Sequence, residues 1–290
     1  MLVLFTDTDT DMTPKMAEKY GYRLISMPYS IDGEKNIYPY VDFDEFDAHS
    51  FYDTLRSGVV PKTSALNVDE YKEYFEPIFA NGDDIFYLHF SKNMSGTFNA
   101  MDIAVRELLE KYPECKFDSI DTNGISIGSL IMLEKAGEMY KRGASVEEIK
   151  RFVEEENLRY AIYFFADDLS FFKRSGRVSG LAGAMGTLLS IRPIMHINSE
   201  GKLVSIGKEK GRKKALEKLI STVSELGDEV EKHRIIITHT DAPELVDDAV
   251  RMLHECFGEA LDIEIVDVNP TVGCHCGPNT IGICFHAKHR

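Results

Sequence analysis

Residues 84–100 read DIFYLHFSKNMSGTFNA, a short apolar run handed to a helical pattern through small and hydroxyl-bearing residues. DIFYLHF has the length of a strand and is rich in aromatic and branched side chains, and SGTFNAMDIAVRELLEKY continues as a long helix. Ser95 is placed as the N-cap of that helix, with Gly96 and Thr97 in its first turn. Working outward, the same alternation recurs on both sides. Upstream stand the strand MLVLFTD, a helix opened by Thr13-Pro14 and closed at Gly21, the strand RLISMPYSI and the helix FDEFDAHSFYDTLRSG. The loop VPKTSALN follows, and then a helix from Asn67 to Asn81 whose start is fixed by a capping box of Asn67 with Glu70. Downstream, KFDSIDT leads into ISIGSLIMLEKAGEMYKRG. Strands spaced by helices of this length predict an α/β domain with a mainly parallel sheet covered on both faces.

At 290 residues and 43% hydrophobic content the chain can bury two cores, so two domains are expected. The charged helix SVEEIKRFVEEENLR bridges them, which places the domains at 1–158 and 159–290. The second half carries strand YAIYFFA, helix LSFFKRSG, the small-residue helix LAGAMGTLLSI and a hairpin turning at Ser199-Glu200-Gly201. Helix GRKKALEKLISTVSEL, strand RIIITHT, helix PELVDDAVRMLHECFG and the strands DIEIVDVNP and TIGICFHA complete a second α/β unit. A net charge of −15, spread along the chain, would repel a phosphate backbone and argues against nucleic-acid binding. No run approaches the roughly 18 apolar residues of a membrane span, and the start lacks the flank of a signal peptide, so a cytoplasmic location is expected.

Five cysteines argue against a disulfide framework, and Cys115, Cys256 and Cys284 read as small buried hydrophobes. GCHCGPN, residues 273–279, places His275 between two thiols. CxC is an uncommon zinc spacing, and in an extended segment His275 would face away from Cys274 and Cys276. Two other loops place hydroxyls where a strand passes to a helix: Thr63 and Ser64 in PKTSALN, and Ser95 with Thr97 in FSKNMSGT. Both would lie at the carboxyl edge of a parallel sheet, where helix N-termini favour an anion, so together they suggest an oxyanion pocket. Each alone is equally a helix cap. Walker and GxGxxG patterns are missing, so nothing specific points to a nucleotide. Lys173, Arg174 and Arg177 form a basic cluster, and Phe164, Phe171, Phe172, Met185, Leu188 and Leu189 could line a cavity for an apolar ligand.

These motifs resemble, in order and over almost the whole chain, the DegV family of bacterial lipid-binding proteins. TDTDTDM is similar to the family's TDSTADL, KTSALN to KTSQPS, HFSKNMSGT to SSxxSGT and GCHCGPNTIG to THxGPGxxG, with LSFFKRSGRVS, GTLLSIRPIMHI and KGRKKALEKL between them. The resemblance implies two α/β domains, the second with a mixed sheet, holding one long-chain fatty acid. Its carboxylate would lie at the domain interface and its tail in the C-terminal domain. Ser64 and Ser95 would contact the carboxylate directly, with Thr63, Gly96, Thr97 and His275 completing the surface. Family members serve a bacterial fatty-acid kinase as the acyl-carrying subunit, which implies a separate ATP-dependent partner and no catalysis, cofactor or metal of the chain's own. Arg177, in the family's GR pair, would meet that partner or the phosphate. The chain departs from the pattern at Lys92, at Ala65-Leu66 and at Cys274 and Cys276. The rival readings are a small-molecule phosphotransferase and a zinc-dependent enzyme built on Cys274, His275 and Cys276.

Overall fold

Thirteen strands and ten helices form among the described residues of the computed structural model, which are 1–179 and 190–290. They fall into two compact units, Met1–Phe46 with Lys62–Asn157, and Asp47–Pro61 with Leu158–Arg290. The expectation of two uninterrupted stretches, 1–158 and 159–290, is therefore corrected at one place. Asp47–Pro61 belongs to the second unit, where helix α2 (Ala48–Arg56) buries Phe51, Tyr52 and Leu55 and the Tyr52 hydroxyl donates to the Val268 carbonyl at 3.1 Å. No change of composition marks either end of that excursion.

In the first unit β1 (Leu2–Asp7), β2 (Tyr22–Ile25), β5 (Asp84–His89) and β6 (Phe117–Asp121) form a parallel sheet in the order β2-β1-β5-β6. The central strand β5 is buried on both faces from Ile85 to His89, as a parallel strand under two helical layers must be. Helices α3 (Val68–Ala80) and α4 (Thr97–Lys111) pack on each other, and α5 (Ile127–Lys141) packs with α1 (Pro14–Tyr20) and α6 (Val146–Glu156). The capping box of Asn67 and Glu70 is present, with Glu70 N–H donating to Asn67 Oδ1 at 3.0 Å.

RLISMPYSI is broken into β2 and the short β3 (Tyr29–Ile31), which pairs with β4 (Pro61–Thr63). Between them the backbone donors turn to side chains, Ser26 N–H to Tyr74 Oη at 3.1 Å and Met27 N–H to Thr8 Oγ1 at 2.9 Å, and Pro28 has none to give.

The second unit is a mixed sheet of β7 (Tyr160–Phe165), β8 (Val178–Ser179), β9 (Ile191–Ile197), β10 (Leu203–Lys210), β11 (Ile235–His239), β12 (Ile263–Asp267) and β13 (Ile281–His286). Its order is β12-β11-β13-β7-β9-β10-β8, with β11/β12 and β8/β10 parallel and the other pairs antiparallel. Period-2 alternation splits its two faces. Ala161, Tyr163 and Phe165 of β7, with Ile281, Ile283 and Phe285 of β13, pack in one core with α8 (Arg212–Leu226) and α9 (Pro243–Phe257). The other face carries Ile162 and Phe164, and α7 (Leu169–Ser175) lays the Phe172 ring 5.8 Å from that of Phe164. The expected small-residue helix, with Met185, Leu188 and Leu189, lies outside the described residues.

Candidate functional site

Parallel strands β1 and β5 end at the same sheet edge, so the segments that follow them lie side by side. The Ser95 region differs by one position from the sequence expectation. A 3-10 turn at Lys92–Met94 uses up the loop, Gly96 is the N-cap of α4, and Ser95 Oγ accepts from Thr97 N–H at 3.2 Å. Nothing lies within 4 Å of the position a Cβ on Gly96 would take, so packing does not require glycine there.

Thr97 is buried, and its hydroxyl accepts from Leu66 N–H at 3.2 Å and bonds the Tyr71 hydroxyl at 3.0 Å. One side chain thus fastens the KTSA loop to the SGT loop. Ser64 is exposed, with its N–H on the Pro28 carbonyl at 3.3 Å and its hydroxyl on Asn36 Oδ1 at 3.2 Å, and Thr63 is half-buried at the end of β4. Exposed Lys92 gives its backbone N–H to Asp121 Oδ2 at 3.0 Å.

Beneath these loops lies an acidic turn to which the motif reading gave no role. Asp7, Asp9 and Asp11 are all buried. Asp7 closes β1 and accepts from the Tyr87 hydroxyl at 2.9 Å, Asp9 N–H at 3.1 Å and Phe90 N–H at 3.4 Å. Burial outweighs those donors and pushes its carboxyl up to about 7. Asp11 takes a short hydrogen bond from the Ser126 hydroxyl. Two hydrogen-bonded groups therefore lie under the loops, Leu66 N–H with the Thr97 and Tyr71 hydroxyls, and the Tyr87 hydroxyl with Asp7. Buried His89 bonds the Phe90 carbonyl through Nδ1 at 2.7 Å, and burial lowers it to about 3, so its ring is neutral. The signal in the sequence was the alternation of Thr and Asp at the end of a strand, a poor pattern for any core.

In the second unit GCHC is not extended. It forms the end of helix α10 (Pro270–Cys276), begun by Asn269 as N-cap, whose Oδ1 accepts from Val272 N–H at 3.0 Å, with Pro270 in the first turn. Asn269-Pro270 thus opens a helix instead of closing the strand DIEIVDVNP, and Cys274, His275 and Cys276 do not alternate across an extended segment. Gly273 lies against the Tyr52 hydroxyl, where a Cβ would meet it at 2.5 Å. Gly277 closes the helix at φ +69, and a Cβ there would enter the Phe171 ring at 2.3 Å. Both glycines let aromatic rings close on the turn that carries His275.

His275 is half-buried, and burial together with the Arg177 guanidinium lowers it to about 4. It is a neutral imidazole at pH 7, able to donate a hydrogen bond but not to supply charge. Arg177 is exposed and gives Nη1 to the Ser175 carbonyl at 2.5 Å. Phe164, Phe171 and Phe172 are buried beside α10 and α7, the part of the expected apolar wall that falls within the described residues.

Among the described residues, the group of three His, Cys, Asp or Glu side chains with ligand atoms within 4.8 Å of one another is His49, Asp53 and Asp241. Cys274, His275 and Cys276 do not form such a group. The Arg56 guanidinium already holds Asp241 at 2.5 Å and Asp53 at 2.7 Å, placing a cation where a metal would have to sit. The thiols divide by burial: Cys284 is fully buried and pushed up to about 12, whereas Cys256, expected to be buried, is exposed on the last turn of α9. Cys256 is expected to react first with a thiol reagent in the native protein and Cys284 only on unfolding. Loss of the fast phase in Cys256→Ser checks this, and a fast phase that survives would contradict it.

One of the two α/β units carries hydroxyl-bearing loops along the carboxyl edge of its parallel sheet. The chain belongs to the DegV family: residues 1–288 match the family described as "Uncharacterised protein, DegV family". A DegV domain-containing protein of Clostridium perfringens is 34% identical over 98% of this chain and 96% of its own length. A solved DegV lipid-binding protein from Thermotoga maritima superposes with a TM-score of 0.82 at 25% identity, covering 100% of this chain and 99% of that one. A second protein of that organism, described as revealing a fatty acid binding function, gives 0.80 at 25% identity over 99% of each chain.

Proposed function

We propose that this protein binds one long-chain fatty acid and presents its carboxylate to a separate ATP-dependent fatty-acid kinase subunit, without catalysis of its own. The observation that carries the reading is the fastening of two hydroxyl loops by Thr97 at one sheet edge, in a chain whose relatives include proteins described as fatty-acid-binding. Thr63, Ser64, Ser95 and Gly96 are the proposed carboxylate contacts in the first unit, with Thr97 holding them in place. His275 is the proposed contact from the second unit, as a neutral donor, and Arg177 the proposed contact to the kinase subunit or the phosphate. A carboxylate leaves water only when its oxygens are hydrogen-bonded, and hydroxyls at the start of a helix supply donors in a favourable field. Each methylene of the tail contributes about 0.8 kcal/mol, so the tail carries the affinity and the head group the orientation.

Native mass spectrometry of protein purified from bacteria is expected to show one co-purified fatty acid. A chain that is ligand-free and fails to take up oleate or palmitate would overturn the reading. Phosphorylation of the bound acid by a fatty-acid kinase subunit with ATP, and not by this chain with ATP alone, tests the remainder.

A further inference from the structure

We propose that Asp9 is a ligand-recognition residue, and that its carboxyl O–H donates a hydrogen bond to the carboxylate of the bound fatty acid. The inference rests on the fatty-acid reading above and adds a contact that the hydroxyl loops do not supply. Asp9 is held rigidly at the sheet edge: its N–H donates to Asp7 Oδ1 at 3.1 Å, and its carbonyl accepts from Ser126 N–H at 2.7 Å. Its two acidic neighbours are satisfied, Asp7 by Tyr87 and two backbone N–H groups and Asp11 by Ser126. Asp9 is not. Its Oδ1 is buried without a hydrogen-bond partner.

A buried carboxyl in that position needs either a cation or a proton. The ligand atoms of Asp7, Asp9 and Asp11 do not all lie within 4.8 Å of one another, so the three do not group as metal ligands. The charges acting on Asp9 are those of Asp7 and Asp11, which with burial hold its carboxyl well above the usual range. From the neighbouring elements, Tyr71 of α3 and Tyr87 of β5 lie in the field of Asp7 and Asp9, and Asp121 of β6 in that of Asp7. Asp9 therefore keeps its proton, and its O–H needs an acceptor.

An acyl carboxylate is acceptor-only and fits that requirement. Tyr71, which lies in the field of Asp9, bonds Thr97 at the base of the SGT loop, so the acid and the proposed head-group loops share one edge. Threonine is the uncharged residue of nearest size that could stand in for Asp9. Both side chains offer an O–H, and only the carboxyl loses its own on ionisation.

The test compares oleate with oleyl alcohol on the full chain, in wild type, Asp9→Ala, Asp9→Thr and Asp9→Val. The ratio of oleate to alcohol affinity is expected to fall at least tenfold in Asp9→Ala and Asp9→Val and to stay within about threefold of wild type in Asp9→Thr. A role confined to packing would move both ligands together, and an unchanged ratio in Asp9→Ala, or a Thr variant no better than Val, would overturn the proposal. If Asp9→Ala does not fold, the nearly isosteric Thr and Val pair carries the comparison. Wild type that binds neither ligand would bring down the fatty-acid reading itself, whereas wild-type binding with an unmoved ratio would bring down only the role of Asp9.

Discussion

Replacing Ser64 and Ser95 together by alanine is expected to weaken oleate binding by about a hundredfold to ten-thousandfold while leaving a hydrocarbon analogue of the tail nearly unaffected. Each hydroxyl bonded to a carboxylate contributes about 1.5–3 kcal/mol, and the two losses apply to the charged head alone. Competition against a fluorescent fatty acid at fixed ionic strength measures both ligands. Equal losses for acid and hydrocarbon would mean that these hydroxyls serve the fold only. That outcome has a structural basis, since Ser95 Oγ holds Thr97 N–H and Ser64 Oγ bonds Asn36. The single variants separate the two, because the Ser95 Oγ bond to Thr97 N–H alone contributes only about 1 kcal/mol to stability.

Thr97→Val is expected to cost about 2–4 kcal/mol of stability, with Thr97→Ser costing well under half as much. Valine keeps the shape and removes the hydroxyl, leaving both Leu66 N–H and the Tyr71 hydroxyl without their partner. Urea unfolding, with hydrogen exchange at the Leu66 amide as the local reporter, makes the comparison. Equal stability of the Val and Ser variants would show that the hydroxyl does not fasten the loops. Buried Asp7 carries a pH dependence of its own. Its folded carboxyl at about 7 lies above the unfolded value of 3.8, so its contribution is full below about pH 4 and is lost as pH rises toward 7.

The alternation of strands and helices was legible because apolar period and capping residues agree along most of the chain, as the Asn67–Glu70 box shows. The start of α4 was misplaced by one residue because Ser95 and Gly96 both suit an N-cap, and only the preceding turn at Lys92–Met94 distinguishes them. GCHC was read as extended because seven-residue helices carry little periodicity, and the informative residue was Asn269, four before the motif. The buried acids were missed for a different reason. Aspartate side chains are ordinarily solvated, and no local pattern reveals that Asp7, Asp9 and Asp11 are covered by α3, β5 and α5 partners far along the chain.

The placement of Asp47–Pro61 bears on how such a gene can be cut and recombined. An exchange at the codon for residue 157 would carry off the second unit's sheet without the helix that supplies Tyr52, and the Val268 carbonyl and the flat face of Gly273 would lose the ring built against them. No single breakpoint yields both units whole. Moving either unit intact into another chain would take two breakpoints in the first unit, one on each side of Asp47–Pro61.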